Sequence, residues 1–144
     1  MATGATVDRG GGHVAHVRSR GAALVDVVAV LLFVVIGRAS HQHGDSPAGI
    51  ASTAWPFAVG LGVGWALVAA GRRHTRPASL SSLPAGAAVC ITTVAVGMTL
   101  RVVAGQGTAA AFVGVATGFL GLVMLAGRLA LDVAGRRRVR QGRP

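Results

Sequence analysis

Four apolar stretches of membrane-crossing length, separated by short arginine-bearing segments, constrain this chain more than any other feature. They run over about 21–37, 53–71, 84–104 and 108–131. Each approaches the ~20 residues that carry a helix across ~30 Å of hydrocarbon. Strands of a membrane barrel would alternate apolar and polar side chains, and no such alternation is present. The expected fold is all-α: an integral membrane four-helix bundle. Charged residues are only 12% of the 144 and hydrophobic types 52%. That balance excludes a disordered basic tail, and the single cysteine excludes a disulfide scaffold.

Turn chemistry supports the division. Ser52 or Thr53 is placed to cap the second helix, with Pro56 in its first turn, where a missing N–H costs little. Ser81 or Ser82 followed by Pro84 repeats the device for the third. Gly105-Gln106-Gly107 is a tight link, with Thr108 as the next cap, and makes the third and fourth helices antiparallel neighbours. The organisation predicted is a basic cytoplasmic tail over 1–20, a four-span domain over 21–131 and an arginine-rich cytoplasmic tail over 132–144.

The formal charge of +10 comes entirely from arginine, since the chain has no lysine. Twelve arginines fall before the first stretch, between the second and third, and at or after the end of the fourth. Only Arg38 and Arg101 fall on the other side. By the positive-inside rule both termini lie in the cytoplasm. The charge is then a topological signal that favours a bilayer with an anionic inner leaflet as partner, and no nucleic acid is expected. Gly37-Arg38-Ala39 could end a secretory signal, but Asp26 within the apolar run and the long leader before it argue for a retained helix. The localisation expected is the cell membrane, crossed several times.

Asp26 is the first chemical candidate. It lies five residues beyond Gly21, about 7 Å of helical rise. An ionisable group at that depth is costly unless paired or hydrated. It could handle protons or cations in a small transporter, or pair with Arg20, Arg72, Arg73 or Arg128 near the same rim. The second candidate is a polar cluster at the opposite rim, where Arg38, Ser40, His41, His43 and Asp45 follow the first helix and Arg101 ends the third. Gly86, Cys90, Thr93, Gly97 and Arg101 share one helical face. Two arginines beside histidines suit a carboxylate, a phosphate or a lipid headgroup. The same arginines could instead pair with Asp45 or meet helix C-terminal carbonyls.

Other signals are weaker. His41, His43 and Asp45 are too few for a metal site, so no metal or cofactor is expected. Cys90 reads as a small buried apolar residue. Gly60-x-x-x-Gly64 and Gly114-x-x-x-Gly118 have helix-packing spacing, within one chain or between copies of a homo-oligomer. Trp55 suits the outer interface, and Trp65, ten residues deeper, reads as packing. No nucleophile and base converge, so an enzyme is not expected.

Several short motifs recur together in order. They are D-x-x-x-V-L-L-F-x-x-x-G-R-x-S-H from Asp26, T-x-x-P-F-x-x-G-x-x-x-G-W from Thr53, G-M-x-L-R from Gly97, G-x-G from Gly105 and F-V-x-V-A from Phe112. Over roughly Arg20 to Arg128 the chain resembles a family of small four-helix prokaryotic membrane proteins, domain of unknown function 3054. Val89-Cys90 departs from the aromatic expected there. The resemblance implies four spans, assigns no activity, and directs attention to Asp26, Arg38, Ser40, His41 and Arg101. Two function classes remain open. One is a small transporter or anionic-ligand or lipid-binding membrane protein, with Arg38, His41 and Arg101 meeting an anion and Asp26 balancing charge. The other is a non-catalytic assembly subunit of a larger membrane complex.

Overall fold

The computed structural model describes residues 9–39, 46–71 and 82–141, with side chains described over 19–39, 46–71 and 82–137. The protein is built from α1 (Arg9–Ala39), α2 (Pro47–Gly71), α3 (Leu83–Val103) and α4 (Ala110–Gln141), with no strand among the described residues. Each helix holds a segment long and apolar enough to cross a membrane: Ser19–Ala39, Pro47–Gly71, Leu83–Val103 and Ala110–Arg137. The helices stand in a ring in chain order, with α4 closing against α1 and the diagonal pairs apart. Up-and-down threading puts the start of α1, the end of α2, the start of α3 and the end of α4 at one end of the bundle, here the termini end. The opposite helix ends and the α3–α4 turn lie at the far end.

The helix limits differ from the sequence expectation in four places. α2 starts at Pro47 rather than near Thr53. The Ser46 hydroxyl accepts from the Gly49 N–H at 3.2 Å, and Pro47 takes the first helical position. Pro56 is therefore inside the helix and buried. α1 begins at Arg9 and α4 runs to Gln141, so much of the expected tails is helical. No proline interrupts either helix, and arginine is a good helix former.

The fourth helix also starts later than expected, at Ala110 rather than right after Thr108, whereas the start of α3 and the turn after it are as read. Ser82 caps α3 in extended conformation, accepting from the Ala85 N–H at 3.4 Å, with Pro84 in the first turn. Gly105 and Gly107 have φ of 68° and 69°, the left-handed region that glycine adopts at little cost. They turn the chain sharply from α3 into α4.

Packing is that of a protein with lipid as its solvent. Leu24, Ile91 and Leu122 are exposed on the outside of the ring, as a hydrocarbon surrounding permits. Inside lie Ala29, Phe33, Val34, Phe57, Val89, Val94, Ala116, Leu120 and Met124. All four phenylalanines gather in one group, with Phe33 and Phe57 edge-to-face at 5.3 Å and Phe33 and Phe112 at 5.5 Å. α2 and α3 pack most closely, because Gly60 and Gly64 admit the α3 backbone. A Cβ on Gly60 would lie 2.6 Å from the Thr93 carbonyl oxygen, and one on Gly64 would lie 3.1 Å from Val89 Cα. This glycine pair is used within the chain. Gly114 and Gly118 on α4 are exposed, with nothing within 4 Å of a Cβ at either.

Candidate functional site

The polar side chains inside the bundle fall into two groups, one near each end. Near the termini end Asp26 of α1 and Arg128 of α4 form a two-pronged ion pair. Nη1 meets Oδ1 at 2.6 Å and Nη2 meets Oδ2 at 2.7 Å. Both side chains are 0% exposed. The Trp65 Nε1–H of α2 donates to Oδ2 at 3.1 Å, and the Arg128 guanidinium stands 5.8 Å from the Trp65 ring centroid. Gly86 of α3 makes the space, since a Cβ there would lie 2.5 Å from Arg128 Cδ. All four helices thus contribute to one buried charge pair.

Of the arginines that the sequence offers to Asp26, the structure brings Arg128, 102 residues away. Arg128 is consequently no part of the solvent-facing arginine belt. Trp65, expected only to pack, is a hydrogen-bond donor to the carboxylate. Its signal in the sequence was depth: counted from the termini end, Asp26, Trp65 and Arg128 each lie about two helical turns into their spans. Two fork-like bonds and an indole donor satisfy the carboxylate well, which is what a charge out of water requires.

The far end carries the second group. Arg38, in the last turn of α1, has its guanidinium seated over Gly49 of α2, where a Cβ would collide with it. Its Nη1 donates to Thr53 Oγ1 at 3.2 Å. Arg101, in the last turn of α3, donates from Nη1 to Gln106 Oε1 at 3.0 Å and from Nη2 to the Gln106 and Gly107 carbonyls at 3.4 Å. Its guanidinium carbon lies 4.7 Å from the Phe112 ring centroid, a cation–π contact. Its Nε is buried with no hydrogen-bond partner among the described residues.

Gln106 owes its place to Pro56. Proline has no N–H to give the carbonyl four residues earlier, which here is that of Ser52. The Gln106 Nε2–H donates to that oxygen at 2.9 Å. The amide so anchored turns its Oε1 to Arg101.

Arg38 and Arg101 line one cavity of about 410 Å³, together with Phe33, Thr53, Gln106, Thr108, Ala109 and Phe112. The start of α4 forms part of its wall. First-turn N–H groups have no partner within their own helix and carry the positive end of its dipole. Neither described carboxylate partner, Asp26 or Asp132, lines the cavity. A site of this composition can hold anionic oxygens: two guanidiniums, a hydroxyl, an amide and an aromatic wall.

The structure therefore joins Arg38 and Arg101 but separates both from Asp26. Asp26 and Arg38 are twelve positions apart along α1, about 18 Å. Ser40, His41, His43 and Asp45 lie outside the described residues, as do Arg72 and Arg73. The α3 stripe expected to face inward does so: Gly86, Cys90, Thr93 and Gly97 are buried, ending at the half-buried Arg101. Gly97 makes room for the Phe57 ring, 2.8 Å from where a Cβ would stand. Thr108, Gln106 and Thr53 escaped the sequence reading as pocket residues. They are ordinary turn and cap residues in sequence, and only helix packing makes them neighbours.

A family model described as "Protein of unknown function (DUF3054)" matches residues 23–131. The chain belongs to that family, and the matched region holds both polar groups. No curated protein and no solved structure matches the chain.

Proposed function

We propose that this protein is a multi-pass protein of the cytoplasmic membrane that binds an anionic ligand at its far end, between Arg38 and Arg101. In this reading the termini end, which carries most of the arginines, faces the cytoplasm. The ligand cavity then opens on the opposite side. One observation carries the reading: an arginine whose described hydrogen bonds all go to neutral oxygens shares a cavity with a second arginine. Ser40 and His41 follow Arg38 in the chain and lie outside the described residues. Asp26 is assigned to holding the helices together, because its carboxylate is already occupied by Arg128 and Trp65. No catalytic step and no cofactor are invoked.

The test is thermal unfolding of the purified protein in detergent, with inorganic phosphate compared against chloride at equal ionic strength. Phosphate should raise the midpoint, because a ligand that binds only the folded state stabilises it. Arg101→Gln should abolish the rise while leaving the chloride midpoint nearly unchanged. Equal behaviour of the two proteins, or no phosphate effect in either, would overturn the reading.

One observation favours an assembly role beside it. Gly114 and Gly118 present a small-residue face of α4 to the outside of the ring. A second copy or a partner helix could approach closely there.

A further inference from the structure

The anion cavity does not end at its polar wall. A second cavity of about 350 Å³ adjoins it between α1 and α4, and shares Phe33, Gly37, Ala109 and Phe112 with it. The rest of its lining is apolar: Ile36, Ala111, Val115 and Phe119. Gly37, Ala109 and Ala111 put almost no side chain into the gap between α1 and α4, which leaves it open. Ile36 is 51% and Val115 62% exposed, so the cleft opens sideways to the bilayer. From Phe112 to Phe119 it follows α4 for two turns, about 10 Å.

Resting on the anion-site reading above, we propose that the ligand is a single-chain anionic amphiphile. Its carboxylate or phosphate head sits between Arg38 and Arg101. Its alkyl chain leaves past Phe33 and Phe112 and lies in the α1–α4 cleft beside Val115 and Phe119. Charge complementarity selects the head, and the shared wall of the two cavities sets the direction of the chain. Because lipid tails are as apolar as the cleft, chain burial adds little drive in a bilayer. The arginines supply the affinity, and the cleft lets an amphiphile enter from the membrane without lifting its chain into water.

The experiment uses the full chain in phosphatidylcholine nanodiscs and dodecyl phosphate carrying a mid-chain diazirine. Cross-linked residues are mapped by peptide mass spectrometry after irradiation. Label should concentrate on Ile36, Ala111 and Val115, and excess unlabelled dodecyl phosphate should displace it while dodecanol does not. Arg101→Gln should lower the specific label at least tenfold. Ala111→Trp, which fills the cleft on a lipid-facing position, should remove the label yet keep the phosphate-induced rise in midpoint. Ala111→Leu should do the same in part, which guards against a folding defect in the larger variant. Label spread evenly around the bundle, with the phosphate effect intact, would mean that the cavity takes free anions only and would overturn the amphiphile. Equal competition by dodecanol would overturn it too, because the head would not be recognised. Loss of both the phosphate effect and the specific label would bring down the anion site itself.

Discussion

At the termini end a guanidinium and a carboxylate close on each other with no exposure. At the far end two guanidiniums line a cavity that neither Asp26 nor Asp132 reaches. The same residue type thus serves opposite ends of one problem, which is what to do with charge in a low-dielectric surrounding. Arg128 gives both terminal nitrogens to the Asp26 carboxylate, and helices α1, α2 and α4 are tied through the pair and its Trp65 donor. Arg101 is held by neutral oxygens and a ring face, contacts that orient a cation without cancelling its charge. Stability should therefore depend on the first group and ligand response on the second.

The largest effect should come from removing half of the closed pair. Asp26→Asn leaves Arg128 charged and buried, a loss of about 3–5 kcal/mol in comparable buried pairs. Most of the folded, monodisperse material should be lost in detergent gel filtration after mild heating. Replacing both partners with apolar residues, Asp26→Leu with Arg128→Met, should recover the larger part of that loss. If the single variant keeps wild-type stability, the contrast between the two ends collapses.

Gly86→Ala comes next, because the added Cβ would stand 2.5 Å from Arg128 Cδ. Overpacking of this kind costs about 1–3 kcal/mol and should lower the unfolding midpoint without touching the phosphate response. Trp65→Phe keeps a ring but deletes one donor to a charged acceptor, for a loss of about 1–2 kcal/mol by the same measurement. Arg101→Gln should change stability by under about 1 kcal/mol, as expected of a partly exposed cation. That variant carries the sharpest form of the contrast: stability kept, phosphate effect gone. The smallest change is Gly118→Ala, at a helical site with open space. It should stabilise the isolated chain by about 0.5–1 kcal/mol. A fall in oligomer on cross-linking would reveal a neighbour on that face.

How much of this was legible in the sequence follows from which forces are local. The four spans were legible because hydrophobic run length is a property of the segment alone. So were the Ser82 and Pro84 start of α3 and the Gly105-Gln106-Gly107 turn, whose chemistry is complete within a few residues. The start of α2 was not, because Ser46-Pro47 and Ser52 with Pro56 make the same signal twice. Ser46 is the residue that caps, while the Ser52 and Thr53 hydroxyls donate to the Gly49 carbonyl within the helix. Asp26 was recognisable as needing a partner, and Arg128 stood among four candidates. Selecting it takes the register of α4 against α1, which a hydropathy profile does not contain. Trp65 failed for the same reason. That Arg38 and Arg101 share an end followed from topology, whereas their common cavity depends on the seat at Gly49 and on the bend of the chain into Phe112.

The proline in α2 has a reach beyond its own helix. A carbonyl deprived of its usual donor can only accept a hydrogen bond, so the group that docks on Ser52 must present a donor, here the Gln106 N–H. This sets which way round the Gln106 amide sits, and its oxygen is then left for Arg101. The missing hydrogen of one residue therefore fixes the polarity of another at the mouth of a cavity. A glutamate at position 106 would have the same length and the wrong chemistry at both ends: oxygen against oxygen on α2, and a permanent counter-charge against the Arg101 guanidinium.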